Sequence, residues 1–191
     1  MFTDRVQLVA ACQRKDSRAL KQLYDELAPA MLGVCMRYTR SRDEAQDLLH
    51  DGFIKAFENI GKLKEPSALD AWVRQIMVNV SINYVMRRNK VVYCDMENLT
   101  NRMDAEDAQV SDGNDEAPDF DEVDARVDEV VSAVQSLPDR YRLVFNMRAV
   151  EELDYDEIAK RLEQPLSTVR SYMSRARQMI LKNLKKKGNR P

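Results

Sequence analysis

An acidic segment in the middle of the chain separates two stretches of different composition. Residues 95–124 contain 12 acidic side chains and a single basic one, Arg102, and they contain few large apolar residues. Such a segment cannot bury enough apolar surface to offset the entropy lost on ordering, so we expect a disordered linker over residues 95–122. The stretches on either side are short, and each can form only a small domain.

Both flanking stretches repeat apolar side chains at steps of three and four residues, which is the periodicity of an amphipathic helix. Gly and Pro are scarce, at 5 and 6 of 191 residues, and this favours helix over strand. We therefore predict an all-α fold. It consists of two small helical domains, residues 1–94 and 123–191, joined by the flexible acidic linker.

The first domain carries several signals for where helices begin and end. Pro29 should kink or divide the first helical stretch. Ser41 followed by Glu44 has the pattern of a capping box, and so does Ser67 followed by Asp70, which predicts two further helix starts. The buried side of the helix after Ser67 is predicted to consist of Trp72, Val73, Ile76, Val80 and Tyr84.

The second domain has the pattern of a helix-turn-helix. Pro138 suits the first turn of a helix that runs to about Ala149. Asp154 with Glu157 predicts the cap of a short helix, and a long helix follows Pro165. The long helix has an apolar stripe and an opposite face of polar and basic residues, as in a helix that enters the DNA major groove. A solvated amphipathic helix with a basic tail is the alternative.

The charge of the C-terminal stretch favours the DNA-binding alternative. Residues 160–191 contain 10 basic side chains and one acidic one, Glu163. Arg can pair with guanine, Ser and Thr can bind bases or phosphates, and lysines of a tail attract phosphate without sequence preference.

Several other classes of protein lack support in the sequence. Cys12, Cys35 and Cys94 are far apart, and His50 is the single histidine, so we expect neither a metal site nor a Ser-His-Asp or Cys-His hydrolase. No phosphate-binding loop occurs, and we expect no cofactor and no enzymatic activity. No apolar run approaches the ~20 residues of a membrane span, and the N-terminus does not resemble a secretory signal. A cytoplasmic protein without membrane insertion is the expectation.

Five segments resemble the extracytoplasmic-function (ECF) group of bacterial RNA polymerase sigma factors. Residues 42–57 (RDEAQDLLHDGFIKAF) and 71–79 (AWVRQIMVN) resemble region 2 of that group. Residues 137–145 (LPDRYRLVF) resemble the start of region 4, and residues 157–162 and 168–177 resemble its helix-turn-helix. The segments occur in the family's order and with its spacing, on both sides of an acidic linker.

The resemblance implies a function and a set of site residues. The chain would bind core RNA polymerase, at the clamp helices of the largest subunit and at the flap, and direct it to promoter DNA. An anti-sigma factor is a further partner expected from the family. The implied polymerase-binding residues are Asp47, His50 and Asp51. The implied −10 DNA-binding residues are Lys62, Lys64, Asn79, Asn83, Arg87 and Arg88. The implied −35 DNA-binding residues are Ser167, Thr168, Arg170, Ser171, Ser174, Arg175 and Arg177.

At several positions the chain departs from the family's pattern. His50 stands where Gln is usual, and Asn83 stands where Asp is commoner. Glu163 replaces a usual turn Gly, Ser167 replaces a frequent Gly, and Pro165 lies where a Ser cap is common. These departures bear on promoter specificity.

The residues alone leave other functions open. The acids of the 41–60 helix also fit a solvated surface helix, and the basic cluster at 87–90 also fits a charge that complements a helix C-terminus. A stand-alone helix-turn-helix regulator would bind duplex DNA tightly without polymerase. An adaptor that sequesters a partner protein would need no basic recognition face.

Overall fold

The computed structural model describes residues 2–96 and 127–188, with side chains for 2–88 and 128–185. All regular structure in these two ranges is helical, which confirms the predicted all-α class. The chain divides into two compact units, Met1–Val85 and Met86–Pro191. The α-helices are α1 (Arg5–Gln13), α2 (Ser17–Met36), α3 (Arg42–Asn59), α4 (Leu69–Met96), α5 (Val127–Gln135), α6 (Asp139–Phe145), α7 (Tyr155–Leu162) and α8 (Leu166–Gly188).

The predicted linker, residues 95–122, lies outside the described residues except for its first two, which belong to the end of α4. The domain limits at residues 94 and 123 remain predictions.

Pro29 does not divide the first helical stretch, because it lies inside α2. A proline inside a helix costs about 3 kcal/mol, since it removes a hydrogen bond and its ring crowds the preceding turn. Leu23, Leu27, Met31 and Val34 are buried on both sides of it. Burying each such side chain contributes about 1.5–3 kcal/mol, so the packing of α2 outweighs the local cost.

The break between the first two helices falls at residues 14–16 instead. Lys15 has a φ of 62°, in the left-handed region, which reverses the chain after α1. The carboxylate of Asp16 then accepts hydrogen bonds from the backbone N–H groups of Arg18 and Ala19. This N-cap satisfies donors that a helix start leaves without an internal partner.

Of the two helix starts predicted from capping boxes in the first domain, one is confirmed and one is wrong. Ser41 Oγ accepts a hydrogen bond from the N–H of Glu44 at 3.1 Å and caps α3. Ser67 lies in a short 3-10 turn, Pro66–Ala68, and α4 begins after it at Leu69. Asp70 forms an ion pair with Arg5 at 3.1 Å, which ties the start of α4 to α1.

The buried side of α4 differs from the predicted stripe. Val73 and Val80 are buried, but Trp72, Ile76 and Tyr84 are only half-buried. Further buried positions are Met77, Val78, Ile82 and Val85. The helix is therefore covered on more than one side, and a single apolar stripe cannot describe it.

The second unit is organised around α8. The predicted stripe of α8 is confirmed, because Val169, Met173, Ala176, Ile180 and Leu184 are all buried. The helix that was expected to reach about Ala149 ends as α6 at Phe145 and continues as a π-helix, Asn146–Val150. Pro138 is the N-cap of α6. The buried Asn146 accepts the N–H of Glu151 at 3.0 Å, five residues on.

Candidate polymerase and nucleic-acid interfaces

Helix α3 presents an acidic outer face in the first unit. Asp47, His50 and Asp51 are exposed, as predicted, and they lie three and four residues apart, so they share one side of the helix. The opposite side is anchored by the buried Leu48, Leu49, Phe53 and Ala56. The anchoring fixes the rotation of α3 about its axis, so the acidic face points to solvent.

Tyr24 of helix α2 contacts His50 of this face. Tyr24 stacks on the His50 ring with an interplanar angle of 8°, and the Tyr24 hydroxyl lies 3.4 Å from His50 Nε2. The Tyr24 ring also contacts Phe53, at 4.7 Å between ring centroids. His50 is therefore placed by a contact between two helices, which sequence spacing cannot reveal.

Ile54 is a residue of this face that sequence reasoning missed. Its side chain is 55% exposed, although it is large and apolar. It lies three residues after Asp51 and four after His50, on the same side of α3. An apolar group surrounded by charged groups is the usual composition of a protein interface. The signal was present in the sequence, since Ile54 falls outside the apolar stripe of α3.

The loop between α3 and α4 exposes Lys62 and Lys64 and buries Leu63 between them. The backbone of this loop is also held by α1. Gln13 Nε2 donates to the carbonyl oxygens of Ile60 and Leu63, at 3.3 and 3.0 Å.

The predicted −10 residues of α4 follow a regular spacing. Asn79, Asn83 and Arg87 are exposed and lie four residues apart, so they form one row along the helix. Arg88 is half-buried. Asn79 Oδ1 accepts a hydrogen bond from Gln75 Nε2 at 3.2 Å, which restrains the amide on the helix surface. The row combines amide and guanidinium groups, which can bind bases and phosphates.

The second unit contains the predicted helix-turn-helix, formed by α7 and α8. Asp154 caps α7 by accepting the N–H of Glu157 at 2.7 Å, as predicted. The turn passes through Glu163, which has φ 53° and ψ 39°. This left-handed conformation favours glycine, because a Cβ there meets the neighbouring carbonyl. Glu163 is thus a glutamate at a position whose backbone suits Gly.

The predicted −35 residues on the outer face of α8 differ in how exposed their side chains are. Ser167 and Arg170 are exposed, in the first turns of the helix. The other five are half-buried, and they are Thr168, Ser171, Ser174, Arg175 and Arg177. The Nε atom of Arg175 is buried, so the middle of that side chain packs against the protein. Ser167 and Arg170 are therefore the most accessible of the seven.

Tyr155 is a second residue that sequence reasoning missed. The guanidinium carbon of Arg170 lies 6.0 Å from the Tyr155 ring centroid, and that of Arg148 lies 5.3 Å from it. Cation–π contacts at such distances restrain an arginine without neutralising its charge. Tyr155 begins α7, whereas Arg170 is in α8, so the contact couples the two helices of the motif.

The described residues offer little for metal or thiol chemistry. Residues 2–96 and 127–188 contain no group of three or more His, Cys, Asp or Glu side chains that could hold a metal ion. Burial raises the pKa of the thiols of Cys12 and Cys35, so both stay protonated at neutral pH. Within the same ranges, no helix has the length and apolar character needed to cross a membrane.

One helical unit presents an exposed acidic helix. The other contains a helix-turn-helix whose second helix has a polar and basic face, which is typical of the DNA-binding transcription proteins. Two protein-family models match the sequence and identify the family within this class. The model of sigma-70 region 2 matches residues 23–91, and that of sigma-70 region 4 matches residues 128–180.

Relatives of known function match over most of the chain. The RNA polymerase sigma-H factor of Pseudomonas aeruginosa is 31% identical over 77% of this chain and 76% of its own length. The ECF RNA polymerase sigma-E factor of Haemophilus influenzae is 27% identical over 94% of both chains. The chain belongs to the ECF group of the sigma-70 family, the RNA polymerase sigma factors that direct transcription initiation.

Two solved structures are also similar. The sigma factor RpoE of Bartonella quintana, in complex with the anti-sigma factor NepR, has a TM-score of 0.44 and 21% identity, over 86% of this chain and 96% of that one. CnrH, in complex with the cytosolic domain of CnrY, has a TM-score of 0.45 and 18% identity, over 96% of this chain and 97% of that one.

Proposed function

We propose that the acidic face of α3 docks this sigma factor on the clamp helices of the largest polymerase subunit. The observation that supports this role is the exposure of Asp47, His50 and Asp51 on a helix whose other side is fully anchored. Two carboxylates four residues apart can meet one basic surface, and complementary charge speeds association and fixes the register of the complex. The exposed Ile54 supplies the apolar part of the same contact.

The loop after α3 and the outer row of α4 bind the −10 element in this proposal. The lysines of the loop attract phosphate, and Asn79 and Asn83 supply amide groups that can bind the edges of unstacked bases. Arg87 and Arg88 extend the row with positive charge. The cost of unstacking a base, a few kcal/mol, is offset when the protein holds that base.

The helix-turn-helix of the second unit binds the −35 element as duplex DNA. Ser167 and Arg170 would meet base edges, because they are the most exposed residues at the start of α8. The half-buried members of the same face would bind phosphates beside them. In this arrangement the polymerase performs the chemistry, and the sigma factor contributes recognition alone.

Further elements of the proposal follow from membership of the ECF group. The second unit contacts the polymerase flap, an anti-sigma factor controls the free protein, and the complex acts in the cytoplasm, where the promoter lies.

Reconstitution with purified core polymerase tests this function. We expect a stable complex and promoter-specific transcripts from a library of duplex promoters, and weak duplex binding by the free chain. Tight, sequence-specific duplex binding without core, together with no polymerase complex, would instead identify a stand-alone helix-turn-helix regulator.

A further inference from the structure

Side chains from the end of α1 and from the turn after it bind backbone carbonyls at the end of α3 and in the loop that follows it. The last four carbonyls of any helix lack an internal partner, and side chains, water or turn bonds must take them. Phe57 is one of these four residues, whereas Ile60 and Leu63 follow the helix, and the carbonyl of Ile60 also accepts the backbone N–H of Leu63 at 3.1 Å. Lys15 Nζ donates to the carbonyl of Phe57, and Gln13 Nε2 donates to those of Ile60 and Leu63.

These donors come from the last residue of α1 and from the turn after it, more than 40 residues earlier in the chain. The left-handed backbone of Lys15, at φ 62°, turns the chain here before α2 begins. The two carbonyls bound by Gln13 lie on either side of Gly61 and Lys62, so its amide binds both ends of a turn that the hydrogen bond from the N–H of Leu63 to the carbonyl of Ile60 closes. The buried side chain of Leu63 is a second anchor.

We propose that Gln13 is a positioning residue for −10 recognition. It fixes the backbone that carries Lys62 and Lys64, and so it limits the positions those lysines and the neighbouring loop can take when a DNA strand binds. This inference rests on the proposed −10 role of the loop. Gln13 itself does not touch DNA and acts through the two carbonyls.

Loss of the amide should affect recognition more than folding. Gln13 is exposed, so water can replace its hydrogen bonds in a variant, and exposed substitutions change stability little. Water does not hold the two carbonyls in a common geometry, and the loop becomes more mobile. A mobile loop must be ordered again when the strand binds. This cost weakens binding of the preferred −10 sequence most.

The chain provides a matched control in Gln22. Its amide also donates to a backbone carbonyl, that of Phe2 at 2.7 Å, and accepts the N–H of Phe2 at 2.8 Å. Gln22 thus holds the N-terminal segment in the way Gln13 holds the loop. Gln13→Met and Gln22→Met remove the same donor with little change of side-chain length.

The experiment uses full-length chains with core polymerase and a duplex library randomised at both promoter elements. Gln13→Met should lower the preference for the best −10 sequence about fivefold, as expected for one or two lost hydrogen bonds, and should leave the −35 preference unchanged. Gln22→Met should leave both preferences unchanged. Gln13→Glu, which also lacks the donor, repeats the test if Gln13→Met is unstable on heating.

Each other outcome counts against the proposal. A folded Gln13 variant with the wild-type −10 preference overturns the positioning role, and so does an equal loss at both elements, which marks a general defect. The same −10 loss in Gln22→Met would also overturn it. If the wild-type protein selects no promoter with core polymerase, the proposed function fails, and the role of Gln13 fails with it.

Discussion

The two helical units differ in how their backbones are held. In the first unit, side chains cap the starts of α1, α2 and α3, Lys15 binds a carbonyl at the end of α3, and Gln13 binds two carbonyls in the loop after it. In the second unit Asp154 caps α7, but α6 has no side-chain cap and a π-helix interrupts the chain after it. Glu152 and Glu163 have left-handed backbones there, against Lys15 alone among the described residues of the first unit. Strain of this kind is often found near functional sites. In the proposed function, the first unit docks on polymerase and holds the −10 strand on a backbone fixed by side-chain hydrogen bonds, whereas the second unit would read the −35 duplex with strain in its turns.

Charge reversal on the acidic face of α3 should have the largest effect, which is on the affinity for core polymerase. Asp51→Lys places a positive charge against a basic partner surface, which costs several kcal/mol, so core affinity should fall about a hundredfold. The fold should be retained, because Asp51 is exposed. Asp25→Lys is the control, since Asp25 is also exposed, on α2, and pairs with Lys21 at 2.6 Å. Equal affinity of the two variants for core would refute the docking role.

Tight packing of the first unit is tested at Gly52. A Cβ at this position would lie 2.2 Å from Sδ of Met77, which is fully buried. Gly52→Ala should therefore destabilise the first unit by about 1–3 kcal/mol, although Ala favours helix more than Gly. Chemical unfolding measures this change. In a Met77→Ala background the same substitution should cost nothing, and a cost that persists there would show that Met77 is not the cause.

Base reading by the second unit is tested at Arg170. If this guanidinium pairs with a base, Arg170→Ala should cost about 1–3 kcal/mol and relax the preference at one −35 position. Lys182→Ala is the control, because Lys182 is exposed further along α8 and should weaken all sequences alike. A uniform loss in Arg170→Ala across a −35 library would show a phosphate contact instead.

Strain in the turn of the second unit is tested at Glu163, with the smallest expected effect. A left-handed residue other than Gly costs about 1–2 kcal/mol, and the greater freedom of Gly in the unfolded chain offsets part of the gain. Glu163→Gly should therefore raise the free energy of unfolding by about 0.5 kcal/mol. Glu163→Ala retains the Cβ and should show no gain. An equal gain in both variants would assign the effect to the glutamate side chain.

The sequence predicted those features that depend on neighbours along the chain. The caps at Ser41 and Asp154 and the apolar stripe of α8 are local patterns, and the structure confirms them. The exposure of Asp47 and Asp51 follows from the same helical periodicity.

The features that sequence reasoning missed depend on contacts between distant segments. Packing on both sides of Pro29 decides the length of α2, and Arg5 takes the carboxylate of Asp70 that was expected to cap α4. Gln13 reaches carbonyls 47 and 50 residues away. Periodicity and local propensity carry no information about such pairs.

We propose that docking on core polymerase belongs to the first unit and reading of the −35 element to the second. One pair of variants tests this separation directly. Core affinity and −35 preference are measured for both Asp51→Lys and Arg170→Ala, with core polymerase at saturating concentration for the second measurement. Asp51→Lys should lose core affinity and keep the wild-type −35 preference. Arg170→Ala should keep core affinity and lose preference at one −35 position. If either variant changes both properties to a similar degree, docking and reading are not separate functions of the two units.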